Sequence, residues 1–286
     1  MPKTYNALYL SLRQKLREAG IEAFSLEARL LVACAARRSP EKLLQDLQLY
    51  ASDEIEARVT ELGARRLAGE PVAYITERWS FYGLELKVTP DVLIPRSDTE
   101  VLAEQAISLL RGRTEAARVL DLCTGSGCVG CAIAHALPQS RVVLLDHSPA
   151  ALAVAAENVE TLGLAGRVQC IQADVTQPPP PMLGSFDLIV ANPPYIRSAE
   201  IETLDASVRD YEPRAALDGG ADGLDFYRAI LRGYLALLRR PGQLALEVGE
   251  DQAGDVSLLL RRAGLLGVGS AQDTAGYARV VFGKLS

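Results

Sequence analysis

Hydrophobic residues recur at helical spacing through residues 1–72, and polar residues fill the positions between them. Leu8, Leu12 and Leu16 fall on one face of a first helix, because residues four positions apart lie one turn apart. Gly20 is expected to end this helix, since glycine readily adopts the backbone conformation found just after a helix. The pattern predicts a small N-terminal helical bundle.

Three further helices of this bundle are indicated by residues that commonly begin helices. Ser25 is the expected N-cap of the second helix, and Pro40 suits the first turn of the third. Asp53 with Glu56 resembles a capping box for the fourth. No polar cluster in the bundle has the make-up of a catalytic site. We therefore expect a packing domain or a docking platform for a macromolecular partner, and the docking role is our prediction.

The pattern changes over residues 73–95, where aromatic and β-branched residues alternate with polar ones. A period of two predicts strands, and Tyr82-Gly83 supplies a turn between them. We predict a β-hairpin that links the helical bundle to the rest of the chain.

Over residues 96–286, short apolar runs alternate with segments of helical periodicity, which predicts an α/β domain on a mostly parallel sheet. The expected strands lie near 118–122, 142–146, 167–171, 186–191 and 243–248, with 265–271 and 277–284 as a closing hairpin. Seven strands with the last one antiparallel are the Rossmann-like arrangement of S-adenosylmethionine (AdoMet)-dependent methyltransferases. This is the fold class that we predict.

A glycine-rich turn follows the first of these strands, which ends near Asp121. Glycines let a backbone approach a ligand closely, and Asp146 at the end of the next strand can hold two ribose hydroxyls. Both NAD-dependent enzymes and AdoMet-dependent methyltransferases use this arrangement, so the turn alone does not separate them. The predicted cofactor turn consists of Cys123, Thr124, Gly125, Ser126 and Gly127.

The segment Asn192-Pro193-Pro194-Tyr195 follows the buried-looking strand 186–191. Neither proline can donate a ladder hydrogen bond, so the strand stops and Asn192 lies at the ligand-binding edge of the sheet. The Asn192 side-chain oxygen and the Pro193 carbonyl form a pair of acceptors for the two N–H bonds of a planar –NH2 group. Tyr195 adds an aromatic wall. Hydride transfer has no use for such a site, which favours methyl transfer to an amide or an exocyclic amine.

Composition and charge narrow the possible partners. The chain has 286 residues, of which 49% are hydrophobic, and its net charge of −6 argues against a broad nucleic-acid surface. No uninterrupted apolar run reaches the ~20 residues needed to span a bilayer, and the N-terminus lacks a signal peptide pattern. We therefore expect a cytoplasmic protein with no membrane partner and no direct nucleic-acid binding.

The cysteines and histidines do not indicate a metal site. Cys128 and Cys131 have the spacing of a redox or zinc pair, but no second pair accompanies them. Neither His135 nor His147 has a partner at metal-ligand spacing. We expect the two cysteines to be packing residues and no metal to be bound.

Several segments resemble, in order, those of the HemK/PrmC family of N5-glutamine methyltransferases, which modify class 1 peptide chain release factors. The resemblance covers nearly the whole chain and rests on the segments GEPVAYIT, FYGLELKVTPDVLIPRSDTE, VLDLCTGSG, NPPYI, DYEPRAALDGGADGLDFYRAI and LALEVGEDQ. It implies methyl transfer from AdoMet to the side-chain nitrogen of a glutamine, that of the GGQ motif of a release factor. Methylation of a ribosomal protein glutamine, or of an exocyclic base amine in nucleic acid, is the alternative.

The resemblance also assigns roles to residues. It implies that Gly125 and Gly127 approach the methionine part of AdoMet, that Asp146 holds the ribose, and that Asp174 meets the adenine amine. Val175 stands where the family often has a tryptophan against the adenine, so that stacking would be lost.

Three other positions depart from the family pattern. Glu77 and Cys123 replace glycines, and Ser97 replaces a proline. Glu77 suggests an altered turn before the hairpin. Cys123 is expected to fit the cofactor turn if its φ is negative.

Overall fold

The computed structural model describes residues 2–112 and 115–286, which form two compact units. The first unit contains the chain up to Arg78 together with Asp205–Tyr211, and the second contains Trp79–Leu204 and Glu212–Ser286. Within the first unit, the Tyr211 hydroxyl donates to the carbonyl oxygen of Ala68 at 3.0 Å. The segment that returns to this unit is thus bonded to the end of its longest helix.

Helices make up most of the first unit, and its core is aliphatic. Leu16, Leu31 and Leu62 are completely buried. A Cβ added to Gly63 would lie 2.7 Å from the Cδ1 of Leu12, so glycine allows the first and fourth helices to approach closely. The helices are α1 (Tyr5–Glu18), α2 (Phe24–Ala35), α3 (Pro40–Gln45), α4 (Asp53–Leu67) and α5 (Val72–Thr76), with a short α9 (Ala206–Arg209) from the returning segment.

Two predicted helix caps in this unit are wrong. Helix α2 begins one residue before Ser25, and the Ser25 hydroxyl instead accepts from Arg13 Nε at 2.8 Å. The N-cap of α4 is Ser52, whose hydroxyl accepts from the Ile55 amide, so Asp53 is the first helical residue. At that position its negative charge interacts favourably with the helix dipole, and its side chain does not cap an amide.

The start of the segment predicted as a hairpin is helical. Val72, Ala73, Tyr74 and Ile75 are all buried, whereas a half-buried strand would bury alternate residues. Glu77 then has φ +55, the left-handed conformation that glycine adopts without strain. The hairpin itself forms from β1 (Arg78–Phe81) and β2 (Leu84–Lys87), with Tyr82 and Gly83 both at positive φ as the predicted turn requires.

The second unit is built on a seven-stranded sheet, as predicted. The order β5-β4-β3-β6-β7-β9-β8 is parallel except for β9, which is antiparallel to both of its neighbours. Its strands are β3 (Arg118–Leu122), β4 (Arg141–Asp146), β5 (Val168–Gln172), β6 (Phe186–Ala191), β7 (Leu238–Glu247), β8 (Leu266–Gln272) and β9 (Ala278–Leu285). Its helices are α6 (Thr99–Leu110), α7 (Cys128–Ala136), α8 (Pro149–Thr161), α10 (Asp225–Gly233) and α11 (Ala253–Arg262).

Strand β3 is the point at which the order of the sheet reverses. It pairs with β4 on one side and with β6 on the other, so Leu122 lies opposite both Leu145 and Ala191. The turns after β3 and β6 therefore begin side by side at the carboxyl edge of the sheet, where open α/β folds bind ligands. Hydrophobic clusters cover both faces of the sheet and hold this edge in place.

Strand β7 begins five residues before its predicted start, at Leu238 rather than residue 243. The added residues include Arg239, Arg240 and Pro241, which are exposed and carry no apolar signal. No helix among residues 2–112 and 115–286 is long and apolar enough to cross a membrane.

Candidate active site

The glycine-rich turn after β3 depends on left-handed backbone. Gly125 has φ +54, and Gly127, at the N-cap of α7, has φ +80. Cys123 has φ +55, so the condition under which its side chain was expected to fit the turn, a negative φ, is not met. A side chain in this region carries about 1–3 kcal/mol of strain, which glycine would avoid.

Asp121, which lies on β3 just before the turn, holds the turn in place through hydrogen bonds. Its Oδ2 accepts from the Thr124 hydroxyl at 2.6 Å and from the Gly130 amide at 3.0 Å. Burial raises the pKa of Asp121 to about 7, against the lowering effect of these two hydrogen bonds. A Cβ on Gly130 would lie 2.1 Å from Leu144 Cδ2. The third glycine of the motif therefore allows α7 to pack against the sheet.

Asp146 ends β4 and faces the same turn. One carboxylate oxygen accepts from the Gly125 amide at 2.9 Å, and the other accepts from the Ser148 amide at 3.0 Å. A carboxylate has about four lone-pair positions, so two further donors can be accepted. The side chain is thus anchored while its remaining capacity faces a cavity.

That cavity lies between the two turns at the carboxyl edge of the sheet. Of the predicted site residues, it brings together Cys123, Thr124, Gly125, Ser126, Asp146, Asn192 and Pro194. It is also lined by Asp91, Val92, Leu93, Pro95, Thr99, Asp121, Cys128, Val129, His147, Ser148, Ala151, Pro213, Ala215, Ala216 and Phe226. Gly127, Pro193, Tyr195, Asp174 and Val175 are outside this lining.

Asn192 follows the completely buried strand β6 and is itself half-buried. Its Nδ2 donates to the Thr99 hydroxyl oxygen at 3.2 Å. No described residue donates a hydrogen bond to its Oδ1 or to the Pro193 carbonyl. The structure therefore leaves two adjacent acceptors at this edge of the sheet.

Tyr195 turns toward a second cleft, which it lines with Arg197, Leu204 and Asp251 among others. Its carbonyl accepts from Gln252 Nε2 at 2.9 Å, and its hydroxyl donates to Glu247 Oε1 at 3.4 Å. Burial, followed by the neighbouring Glu247 charge, raises the pKa of Tyr195, so the phenol stays protonated.

Asp174 and Val175 have different surroundings from the rest of the predicted site. The exposed Asp174 caps its own turn, since its Oδ1 accepts from the Thr176 amide at 2.8 Å and hydroxyl at 2.7 Å. Val175 is buried in the hydrophobic cluster that contains Leu120. The aromatic side chain that lines the cavity is Phe226, at the start of α10.

Sequence reasoning missed three polar residues that support the site. Buried Asn158 in α8 donates to the carbonyls of Ser126 at 2.9 Å and Lys87 at 3.0 Å, joining the cofactor turn to β2. The Thr99 hydroxyl accepts from Asn192 Nδ2, and Glu247 is close to Thr99. Thr99 and Glu247 lie in the segments FYGLELKVTPDVLIPRSDTE and LALEVGEDQ, but neither segment shows which residues their side chains approach, and Asn158 lies in none of the quoted segments.

A parallel sheet with a glycine-rich turn after one strand, a carboxylate after the next and a pair of free acceptors after a third defines an AdoMet-dependent methyltransferase of the class that acts on planar nitrogen groups. Comparison with known proteins is more specific. Residues 99–208 match the family described as "Methyltransferase small domain", and residues 8–76 match "PrmC N-terminal domain".

Curated relatives extend the match over nearly the whole chain. The release factor glutamine methyltransferase of Geobacter sulfurreducens is 43% identical over 275 residues, which cover 96% of this chain and 94% of the relative. That of Moorella thermoacetica is 44% identical over 263 residues, which cover 89% and 91%. This chain therefore belongs to the release factor glutamine methyltransferase family.

A solved structure of lower identity agrees with the fold. The hMettl16 catalytic domain, in complex with MAT2A 3'UTR hairpin 6, matches with a TM-score of 0.55 and 16% identity. The match covers 81% of this chain and 82% of that chain. At this identity, the likeness shows the fold alone.

Proposed function

We propose that this protein transfers a methyl group from AdoMet to the side-chain amide nitrogen of a glutamine in a class 1 release factor, the glutamine of the GGQ motif. The observation that carries the proposal is the pair of unoccupied acceptors, Asn192 Oδ1 and the Pro193 carbonyl, next to the glycine-rich turn. Two acceptors in one place match the two N–H bonds of a primary amide.

The cavity suits AdoMet in shape and chemistry. Gly125 has only open space where a Cβ would stand, so a ligand can approach its backbone. Ser126 Oγ is buried and has no hydrogen-bond partner among the described residues, although buried polar atoms rarely stay unpaired. Asp146 can accept from ribose hydroxyls, and Val92, Leu93 and Phe226 offer apolar surface for a base.

AdoMet, when bound, supplies an electrophilic methyl carbon on a positive sulfonium. The chain's own residues supply orientation. An amide nitrogen is a weak nucleophile, because its lone pair is delocalised into the carbonyl. Asn192 Oδ1 and the Pro193 carbonyl hold its two N–H bonds and turn the nitrogen toward the methyl carbon. Orientation of this kind contributes up to ~7–11 kcal/mol.

The same two acceptors stabilise charge. Positive charge develops on the nitrogen as methyl transfer proceeds, and preorganised acceptor dipoles favour it more in the transition state than in the ground state. The surplus proton leaves to solvent afterwards, so no side chain has to act as a strong base. Pro194 lines the cavity next to this pair, whereas Tyr195 lines the second cleft.

The decisive experiment uses labelled AdoMet with purified release factors and, separately, ribosomes. We expect label on one release factor glutamine, located by peptide mapping, and none on a factor in which that glutamine is replaced. Label on a ribosomal protein or on nucleic acid, with none on the factors, would overturn the proposed substrate.

The helical unit docks the protein substrate in this proposal and takes no part in the chemistry. Among the residues that the structure describes, six of the ten exposed large hydrophobic side chains belong to this unit, and a contiguous exposed apolar patch is typical of an interaction site. Leu44, Leu49 and Tyr50 are close in sequence, and Tyr50 is 70% exposed.

We expect the substitution Leu49→Ser with Tyr50→Ser to raise the KM for a folded release factor by about tenfold, the effect of losing about 1.4 kcal/mol of binding. Activity on a short glutamine-containing peptide is expected to stay unchanged. Leu258→Ser, on the exposed side of α11, is the matched control. An unchanged KM for the folded factor would contradict the docking role.

A further inference from the structure

The side-chain amide of Asn192 can be placed in two ways that differ by a half-turn, and only one of them suits the reaction. With Nδ2 toward Thr99, as in the structure, Oδ1 is the acceptor left for the substrate. In the reverse placement the amide would present N–H donors to the substrate –NH2, which also carries only donors. Something has to bias this choice.

Thr99 alone provides no bias, because a hydroxyl both donates and accepts. Thr99 is 1% exposed, so water cannot readily settle its direction. It accepts from Asn192 Nδ2 reliably only if its own hydrogen is committed to another acceptor.

Glu247 is the acceptor that fits. It is the last residue of β7, and the preceding Leu246 pairs with Ala191, the residue before Asn192. One step further along these parallel strands brings Glu247 beside Asn192. The Thr99 hydroxyl is close enough to the Glu247 carboxylate to lower its pKa, and Oε2 of that carboxylate is free to accept the Thr99 hydrogen.

The buried Glu247 side chain is only partly satisfied by the Tyr195 hydroxyl, which donates to Oε1 at 3.4 Å. Its side chain is 2% exposed, and Oε2 has no hydrogen-bond partner within the described part of the chain. A buried carboxylate with an unpaired oxygen is unfavourable for stability. A strand residue needed only for packing would be apolar.

We propose that Glu247 is a positioning residue that acts through Thr99: its carboxylate takes the Thr99 hydrogen, Thr99 then accepts from Asn192 Nδ2, and Asn192 Oδ1 faces the substrate amide. This inference rests on the proposed function. Because a carboxylate can only accept, the charge on Glu247 determines the direction of each hydrogen bond in this relay.

The relay is sensitive to pH. Burial has the largest effect and raises the pKa of Glu247 to about 7. The Thr99 hydroxyl lowers this pKa, the Asp98 charge raises it, and Tyr195 and Arg279 lower it. Tyr227 and Cys128 are the other titratable groups near it. Below the pKa, a protonated Glu247 can donate to Thr99 and release the Thr99 hydrogen toward Asn192. Turnover is therefore expected to rise as the pH increases through about 7.

The test compares Glu247→Gln with the wild type, measuring single-turnover methylation across this pH range. We expect a 10- to 100-fold slower transfer at saturating AdoMet, the effect of losing one hydrogen bond to a charged group, and a smaller step near neutral pH than in the wild type, because Asp121 also has a pKa of about 7. The Kd for AdoMet is expected to stay within about threefold, since Glu247 does not line the cavity. In the wild type, the Glu247 carboxyl carbon should titrate by NMR with the midpoint of the rate profile.

Asp187→Asn is the matched control. Asp187 is another buried carboxylate of this sheet, near the opposite end of β6, where it accepts from the Arg118 amide at 2.8 Å. Its replacement is expected to lower stability and leave the rate profile unchanged. If Glu247→Gln does not fold, Thr99→Ser and Thr99→Val replace it: the hydroxyl-bearing variant should keep the rate and the valine variant should lose it.

The relay is wrong if folded Glu247→Gln keeps the wild-type rate and pH profile, or if Thr99→Val transfers methyl at the wild-type rate. It is also wrong if the Asp187→Asn control loses the pH step as completely as Glu247→Gln does. A wild-type enzyme that methylates no glutamine contradicts the proposed function instead, which separates the two failures.

Discussion

The turns after β3 and β6 begin side by side, yet they are built by opposite means. The first uses left-handed residues, Gly125 and Gly127 among them, and is held by nearby carboxylates that accept from the Gly125 amide and the Thr124 hydroxyl. The second uses two prolines, which remove donors and expose acceptors. Its orientation depends on Thr99 and Gln252, which are distant in sequence.

The difference teaches that binding and orientation are separate tasks here. The backbone of the glycine turn forms the surface that binds the cofactor, so binding does not depend on an exact side-chain position. The Asn192 turn has to present one oxygen rather than one nitrogen, so it needs support from other elements. Substitutions in the two turns should consequently affect different measurements.

The largest expected effect is that of Asn192→Ala. It removes one of the two acceptors and leaves a substrate N–H unpaired, which typically lowers turnover by ~10²–10³. AdoMet affinity, measured by calorimetry, should fall much less. Asn192→Asp keeps the shape and adds a charge near the sulfonium, so we expect it to bind cofactor and transfer methyl slowly. Wild-type turnover by Asn192→Ala would mean that the turn is structural.

Asp146→Ala tests the opposite turn. The loss of hydrogen bonds to a charged group should weaken AdoMet binding by about 1.5–3 kcal/mol, while turnover at saturating AdoMet changes little. Calorimetry and initial rates at several AdoMet concentrations separate the two effects. A wild-type protein that binds NADH tightly and AdoMet not at all would contradict the cofactor assignment.

Gly130→Ala tests whether the third glycine serves packing. Its Cβ would overlap Leu144, so we expect the free energy of unfolding to fall by about 1–3 kcal/mol in denaturant titration. Gly254→Ala is the control, because that helical glycine has nothing within 4 Å of the added Cβ. There we expect a gain of about 0.5–1 kcal/mol. Equal effects at both glycines would contradict the packing role.

The smallest effect is expected for Cys123→Gly. Relief of left-handed strain should exceed the added entropy of the unfolded chain and raise the free energy of unfolding by about 1 kcal/mol. Cys170→Gly in β5 is the comparison, since no positive φ occurs there and glycine should destabilise the strand. Destabilisation by Cys123→Gly would show that its φ is not a source of strain.

Much of this protein follows from local sequence. Apart from Asp187, the run from Phe186 to Ala191 is apolar because that strand is buried on both faces, and its length and end were predicted correctly. The spaced glycines and the two prolines determine the conformation of their own backbone, so the sequence indicates these turns without knowledge of any contacting residue. Seven strands were recognised for the same reason, and the antiparallel last strand was confirmed with them.

The tertiary structure alone decided the features that depend on distant residues. Cys123 has φ +55 in a turn that is held by Asp121 and Asp146, two carboxylates outside it, and the residue types of the turn did not indicate this conformation. Val72–Thr76 is helical because that segment is buried all round, which its alternating letters conceal. Thr99, which accepts from Asn192, comes from the start of α6, and Glu247, which acts on Thr99, comes from the end of β7, so only folding brings these residues together. Side-chain orientation is a property of that assembled environment, and no local pattern encodes it.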